Sequence, residues 1–101
     1  MKLAWTKRAQ EDLISIGKFI AEDNLINAKK WIKRLRERAA NITDSPMSGR
    51  VVPEFENNDI REVFLGNYRI VYLVKNETVL IITVFEGHKL LHKDHLSPNK
   101  G

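Results

Sequence analysis

Hydrophobic positions along the chain follow one period in the first half and another in the second. Lys2-Leu3-Ala4-Trp5 alternates as a short strand, and Thr6 stands where a helix N-cap is needed. Ala9, Leu13, Ile16 and Ile20 then recur at i, i+4, i+7 and i+11, one apolar stripe of a helix running to about Glu22, with Gly17 permitting close approach of a neighbour. Asp23-Asn24 interrupts it. A second helix carries Ala28, Trp31, Ile32, Leu35, Ala39 and Ile42 on one face and Lys29, Lys30, Lys33, Arg34 and Arg36 on the other. Two such stripes predict an antiparallel helix pair packed on a sheet, with Trp31 a core residue rather than a cofactor platform.

Beyond Pro46 the runs become β-rich: Val63 to Leu65, Tyr68 to Val74 and Thr78 to Phe85, separated by Gly66-Asn67 and Lys75-Asn76-Glu77. Gly66-Asn67 suits a tight hairpin, because glycine reaches φ > 0 freely and asparagine tolerates it better than most residues. Residues 47–59, with Gly49, Pro53 and Asn57-Asn58-Asp59, read as a connecting loop holding one short edge strand. Helices followed by a meander define an α+β class: an N-terminal strand and an antiparallel helix pair on a mainly antiparallel twisted sheet. Arg69, Val71 and Leu73 alternate with Tyr68, Ile70, Tyr72 and Val74, so both faces of that strand carry large apolar groups, as in a sheet covered on both sides. Residues 1–101 form one domain, with 90–101 expected as a partly ordered tail.

Composition narrows the chemistry. The 101 residues contain no cysteine, which excludes a disulfide framework, a zinc-thiolate site and thiol catalysis. No run approaches the roughly 18 apolar residues of a membrane span, and the N-terminal residues lack a signal-peptide core, so a cytoplasmic protein is expected. Net charge is +4, but residues 1–50 hold eleven Lys/Arg against six Asp/Glu while residues 51–101 hold six against seven. The basic excess therefore sits on the helical half, where it forms either a solvated surface or a face that attracts nucleic acid or an acidic partner.

Candidate functional side chains fall in two places. His88, His92 and His95 are spaced i, i+4, i+7 and interleaved with Lys89 and Lys93; a helix would align them, but Gly87 and Pro98 and the lack of a carboxylate at an obvious ligand position argue against a metal site, and none is expected. The second place is Arg61-Glu-Val-Phe-Leu-Gly-Asn-Tyr-Arg-Ile-Val-Tyr72, which puts Arg69 beside Tyr68 on rigid sheet.

In order and spacing, six elements resemble the RelE/ParE superfamily of bacterial toxins from toxin-antitoxin and plasmid-stabilisation systems. They are the N-terminal strand, the A-x-x-D-L helix (Ala9, Asp12, Leu13), Ser45-Pro46-Met47-Ser48-Gly49-Arg50, Val51-Val52-Pro53-Glu54, Arg61-Glu62, and Tyr68-Arg69-Ile70-Val71-Tyr72. The resemblance implies a cognate antitoxin with an acidic segment that folds on binding, a homodimer or a heterotetramer with that antitoxin, no cofactor and no membrane association. Target- and antitoxin-binding candidates are Arg61, Arg69, Tyr68, His88 and Lys89, with the basic helix face as a further surface.

The superfamily divides by target. RNA-cleaving members act on mRNA in the ribosome and must activate a 2′-hydroxyl, stabilise the phosphorane and protonate the departing oxygen. Arg69 suits the second task, Arg61 a phosphate clamp, His88 the acid or base, and Glu62 a base. RelE itself, however, is expected to carry lysines where this chain has Arg61-Glu62-Val63, and Glu86 stands where a base or donor is preferred. ParE-like members share SP-x-x-GR-x-V-P-E, I-R-E and YRIVY, lack the nuclease set and are thought to poison DNA gyrase. The sequence looks more like ParE than RelE, and a degenerate member that only binds its antitoxin and takes part in operator regulation is a third alternative. The structural explanation of Arg69 stands beside both: an arginine on a half-buried strand often pairs with a carboxylate such as Glu54 or Glu62.

Overall fold

The computed structural model describes residues 1–87, and its elements follow the two periods of the sequence. Strand β1 (Lys2–Trp5) leads into helix α1 (Lys7–Ala21), α2 spans Leu25–Asn41 and ends in a 3-10 turn (Ile42–Asp44), and β2 (Arg50–Val51), β3 (Ile60–Leu65), β4 (Tyr68–Lys75) and β5 (Thr78–Glu86) complete the chain. The sheet order is β1-β5-β4-β3-β2. Only β1 runs parallel to its neighbour β5; the other pairs are antiparallel. The edge strand expected within residues 47–59 is β2.

Capping sets both helix starts. Thr6 Oγ1 accepts from the Ala9 amide at 3.0 Å, and Asn24 Oδ1 from the Asn27 amide at 2.9 Å. Thr6 also donates to the Ile82 carbonyl at 2.9 Å, which fastens the first turn of α1 to an irregular point of β5. There Val71 pairs with Thr83 and Tyr72 with Ile81, so Ile82 is an extra residue, a β-bulge. Asp12 secures the same point by accepting from Thr83 Oγ1 at 2.6 Å and the Val84 amide at 3.0 Å. The aspartate of the A-x-x-D-L helix thus satisfies a strand donor beyond the last β1 pairing, Trp5 with Ile81.

The apolar stripes of both helices close on one face of the sheet. Ala9, Leu13, Leu35, Ala39 and Ile42 pack with Val63, Ile70, Tyr72, Val79, Ile81 and Val84 in the main core. Gly17 lets the helices meet: a Cβ there would lie 3.3 Å from Ile32 Cγ1. On the opposite face the segment after β2 folds back, and Val52 and Val71 form a smaller buried cluster with Phe55, Ile60 and Phe85. Both faces of the β3–β4–β5 sheet are therefore occupied, the second partly by the chain's own loop.

One turn differs from the sequence expectation. Gly66 alone takes the positive φ (57°) in the β3–β4 hairpin, whereas the left-handed pair lies in the β4–β5 hairpin, at Asn76 (52°) and Glu77 (61°). Two central residues with φ > 0 match the twist of the flanking strands. Among the described residues no helix is long and apolar enough to cross a membrane.

Candidate functional site

Arg69 lies on the sheet face away from the helices, in a cross-strand row with Phe64 of β3 and Phe85 of β5. It is not displayed to solvent. Its side chain is 7% exposed and ion-paired with Glu62, which is wholly buried. Arg69 Nε donates to Glu62 Oε1 at 2.8 Å and Nη2 contacts the same oxygen. The other carboxylate oxygen takes Arg50 Nε at 2.8 Å, with Arg50 Nη2 beside it. Register explains the convergence, since Arg50 pairs with Glu62 across β2–β3 while Glu62 and Arg69 belong to successive cross-strand rows of β3 and β4. Glu54, from the loop after β2, reaches Nη1 and Nη2 of Arg69 at 3.4 Å.

Two arginines around one carboxylate leave the phosphate-binding reading little to work with. Arg69 and Glu62, candidates for charge stabilisation and general base, are spent on each other. Arg61 is also engaged: Nη1 donates to the Met47 carbonyl at 2.9 Å and the Gly49 carbonyl at 2.8 Å, and Nε to the Asn58 carbonyl at 2.9 Å. One guanidinium therefore pins both ends of the 47–59 loop to β3. Tyr72 completes the fastening from β4 by donating to the Pro46 carbonyl at 2.6 Å. A Cβ at Gly49 would collide with the Tyr72 hydroxyl and come within 2.9 Å of the Glu62 carbonyl, so the S-P-x-x-G-R phrase is a packing requirement here. Burial pushes the Tyr72 phenol above its usual pKa, partly offset by the Gly49 amide and by Arg61 and Arg38.

Tyr68, adjacent in sequence, points to the helix side and meets Trp31 edge-on with ring centroids 5.5 Å apart. Desolvation raises its pKa, and Glu86 adds to the effect. Trp31 packs over the Gly66 turn and carries the Arg34 guanidinium 4.6 Å from its ring centroid. Trp31, expected in the core, is half-buried at its margin instead, held by Tyr68 and the Gly66 turn, with its other face an arginine shelf.

All five cations of the basic helix face, Lys29, Lys30, Lys33, Arg34 and Arg36, are exposed. Three of them border a feature that the sequence pattern did not announce. Between α1 and α2 runs a groove of about 600 Å³ with an apolar floor of Gly17, Ala21, Leu25, Ala28 and Ile32, rimmed by Lys18, Lys29, Lys33, Arg36 and Glu37. Leu25 and neighbouring Ile26 are 60% and 68% exposed. Their position off the core stripe of α2 was the available signal. His88 and Lys89, like His92 and His95, lie outside the described residues. Arg50 and Asp12 also escaped the sequence reading as functional partners, because Arg50 acts across the sheet and Asp12 from helix to strand rather than along the chain.

A small α+β domain with two helices on one face of a five-stranded, mainly antiparallel sheet is the fold that the resemblance to RelE/ParE toxins implies. Within that class, residues 3–91 match the family model described as ParE toxin of type II toxin-antitoxin system, parDE, and the chain belongs to that family. Among solved structures it is similar to a chain of the chromosomal ParDE TA system from P. aeruginosa, with a TM-score of 0.72 and 21% identity over 85% of this chain and 95% of that one. That likeness is one of fold. Among curated proteins there is no match.

Proposed function

We propose that this protein is a ParE-type toxin that acts by binding DNA gyrase in the cytoplasm and is neutralised by a cognate antitoxin. The observation that carries this reading is the Arg50–Glu62–Arg69 cluster. It commits the best nuclease candidates to an internal ion network, and it leaves the protein's most distinctive surfaces suited to macromolecular contact. The groove between α1 and α2 supports the antitoxin half of the proposal, because an apolar floor edged by four cationic side chains against the single carboxylate of Glu37 complements an amphipathic acidic segment. Such a segment, too polar to fold alone, gains its ordering free energy by burying its apolar stripe in the groove.

Induction in growing cells tests the reading. The expected sequence is an early arrest of DNA synthesis with an SOS response, and protein synthesis falling later. Immediate arrest of translation, with DNA synthesis continuing, would replace gyrase by the ribosome and restore the mRNA-cleaving alternative.

A further inference from the structure

Helix α2 carries basic residues along both of its edges, and the two edges differ in what lies beneath the charge. Lys29, Lys33 and Arg36 rim the apolar groove against α1. Lys30, Arg34 and Arg38 recur every four residues on the edge toward the Gly66 turn, so they form a single file with steps of about 6 Å along the helix. Arg34 lies over the Trp31 ring, which packs on that turn, and Arg38 Nε donates to the Phe64 carbonyl at 3.3 Å. Both guanidiniums are held in place by groups that leave their charge unneutralised. Among the described residues none of the three cations is ion-paired: Glu37 pairs with Lys33, and Glu62 with Arg50 and Arg69. Glu86 lies on the α1 side of Trp31, with Ile20 and Tyr68.

We infer that the Lys30–Arg34–Arg38 row is a contact for the phosphate backbone of duplex DNA and, resting on the reading of this protein as a gyrase-directed toxin, that this duplex is the one gyrase holds. The surroundings of the row select the partner. A protein segment needs apolar surface to bury, and the groove edge of α2 supplies it; the row is flanked instead by Asn27, Glu37 and Asn41, with Ile26 only at its N-terminal end. Protein–DNA interfaces are polar and positively charged, and a duplex offers about one phosphate charge per 1.7 Å of axis, so three cations spread over roughly 12 Å all find partners. Single strands are bound by stacking their bases on open aromatic rings. Trp31 offers no such platform, since Arg34 covers one face while Tyr68 and the Gly66 turn crowd the rest. Backbone contacts of this kind position a duplex without reading its sequence.

Fluorescence anisotropy of the full chain with a labelled duplex of arbitrary sequence, at stepped salt, tests the row with no gyrase present. Three neutralised phosphates give a slope of about −2.7 in log K against log salt, so wild-type affinity should fall about 40-fold for each fourfold rise in salt. The double variant Lys30→Gln/Arg34→Gln leaves one cation and should fall only about 3–4-fold over the same rise. A control, Lys2→Gln/Lys75→Gln, removes the same charge from exposed residues that both pair with Thr78, at the end of β4 opposite the Gly66 turn, and should keep the wild-type slope. No saturable binding by the wild type overturns the site, and an equal loss of slope in both double variants overturns the row in favour of diffuse charge. Tighter binding of a single strand or of an RNA duplex overturns the ligand class. In supercoiling assays Lys30→Gln/Arg34→Gln should need several-fold more protein than the wild type for the same inhibition, and equal potency overturns gyrase-held DNA as the source. A wild type that leaves gyrase untouched contradicts the proposed function and with it that source, while the anisotropy result decides the row by itself.

Discussion

Removing Arg69 separates a structural cluster from an exposed functional arginine by its effect on stability. In Arg69→Ala the fully buried Glu62 keeps only Arg50, whose side chain is 59% exposed and supplies its charge from the solvent side. Stranding one partner of a buried pair costs about 3–5 kcal/mol, and the remaining arginine places the expectation at the lower end, about 3 kcal/mol. For a domain of this size each kcal/mol moves the midpoint by roughly 4–8 °C, so Arg69→Ala should melt roughly 12–24 °C below the wild type. Arg50→Ala, which removes the exposed arm and leaves Arg69 on Glu62, should cost less, about 1–3 kcal/mol for the buried Oε2 oxygen it leaves without its arginine. Urea and thermal unfolding of Arg69→Ala, Glu62→Ala and the double variant give the coupling directly, and the double variant should cost far less than the sum of the singles. An Arg69→Ala protein melting within a few degrees of wild type would refute the reasoning and return Arg69 to the pool of freely available phosphate ligands.

Three other outcomes follow from single contacts. Gly66→Ala should destabilise by more than about 1 kcal/mol in urea unfolding, because φ is positive there and the new Cβ would stand 2.8 Å from Trp31 Cη2. Glu77→Gly should instead raise the unfolding free energy, by up to about 1 kcal/mol, since Glu77 holds a left-handed φ of 61° that glycine adopts without cost. Raised pKa values for Tyr72 and Tyr68 mean that the folded state keeps phenol protons the unfolded chain has lost. The corresponding stability is complete below pH about 10 and lost as pH rises through the folded-state values, and Tyr72→Phe should flatten that alkaline decline in pH-dependent unfolding.

Much of the fold was legible because it rests on local signals. Thr6, the Ala9-Leu13-Ile16-Ile20 stripe and the β-rich runs after Pro46 each specify their element without reference to distant residues. The hairpin turns were located but not fully typed: Gly-Asn drew attention to the first, while the left-handed pair formed at Asn76-Glu77, where strand twist overrides the preference of glutamate. The candidate site was less legible for a physical reason. Arg69 and Glu62 were visible as a possible pair, yet whether an arginine is buried depends on what the far side of the sheet carries. That was decided by Arg50 in a two-residue strand and by a loop pinned through Arg61. The helical groove likewise depends on how closely Gly17 lets α1 approach Ile32, a distance that no periodicity encodes.

Purified protein added to gyrase and relaxed plasmid, with a parallel reaction containing ribosomes and a defined mRNA, tests the proposed function most directly. The expected result is dose-dependent loss of supercoiling, reversed by the antitoxin, with the mRNA intact. Site-specific cleavage of the ribosome-bound mRNA, with supercoiling unaffected at the same concentrations, would contradict it.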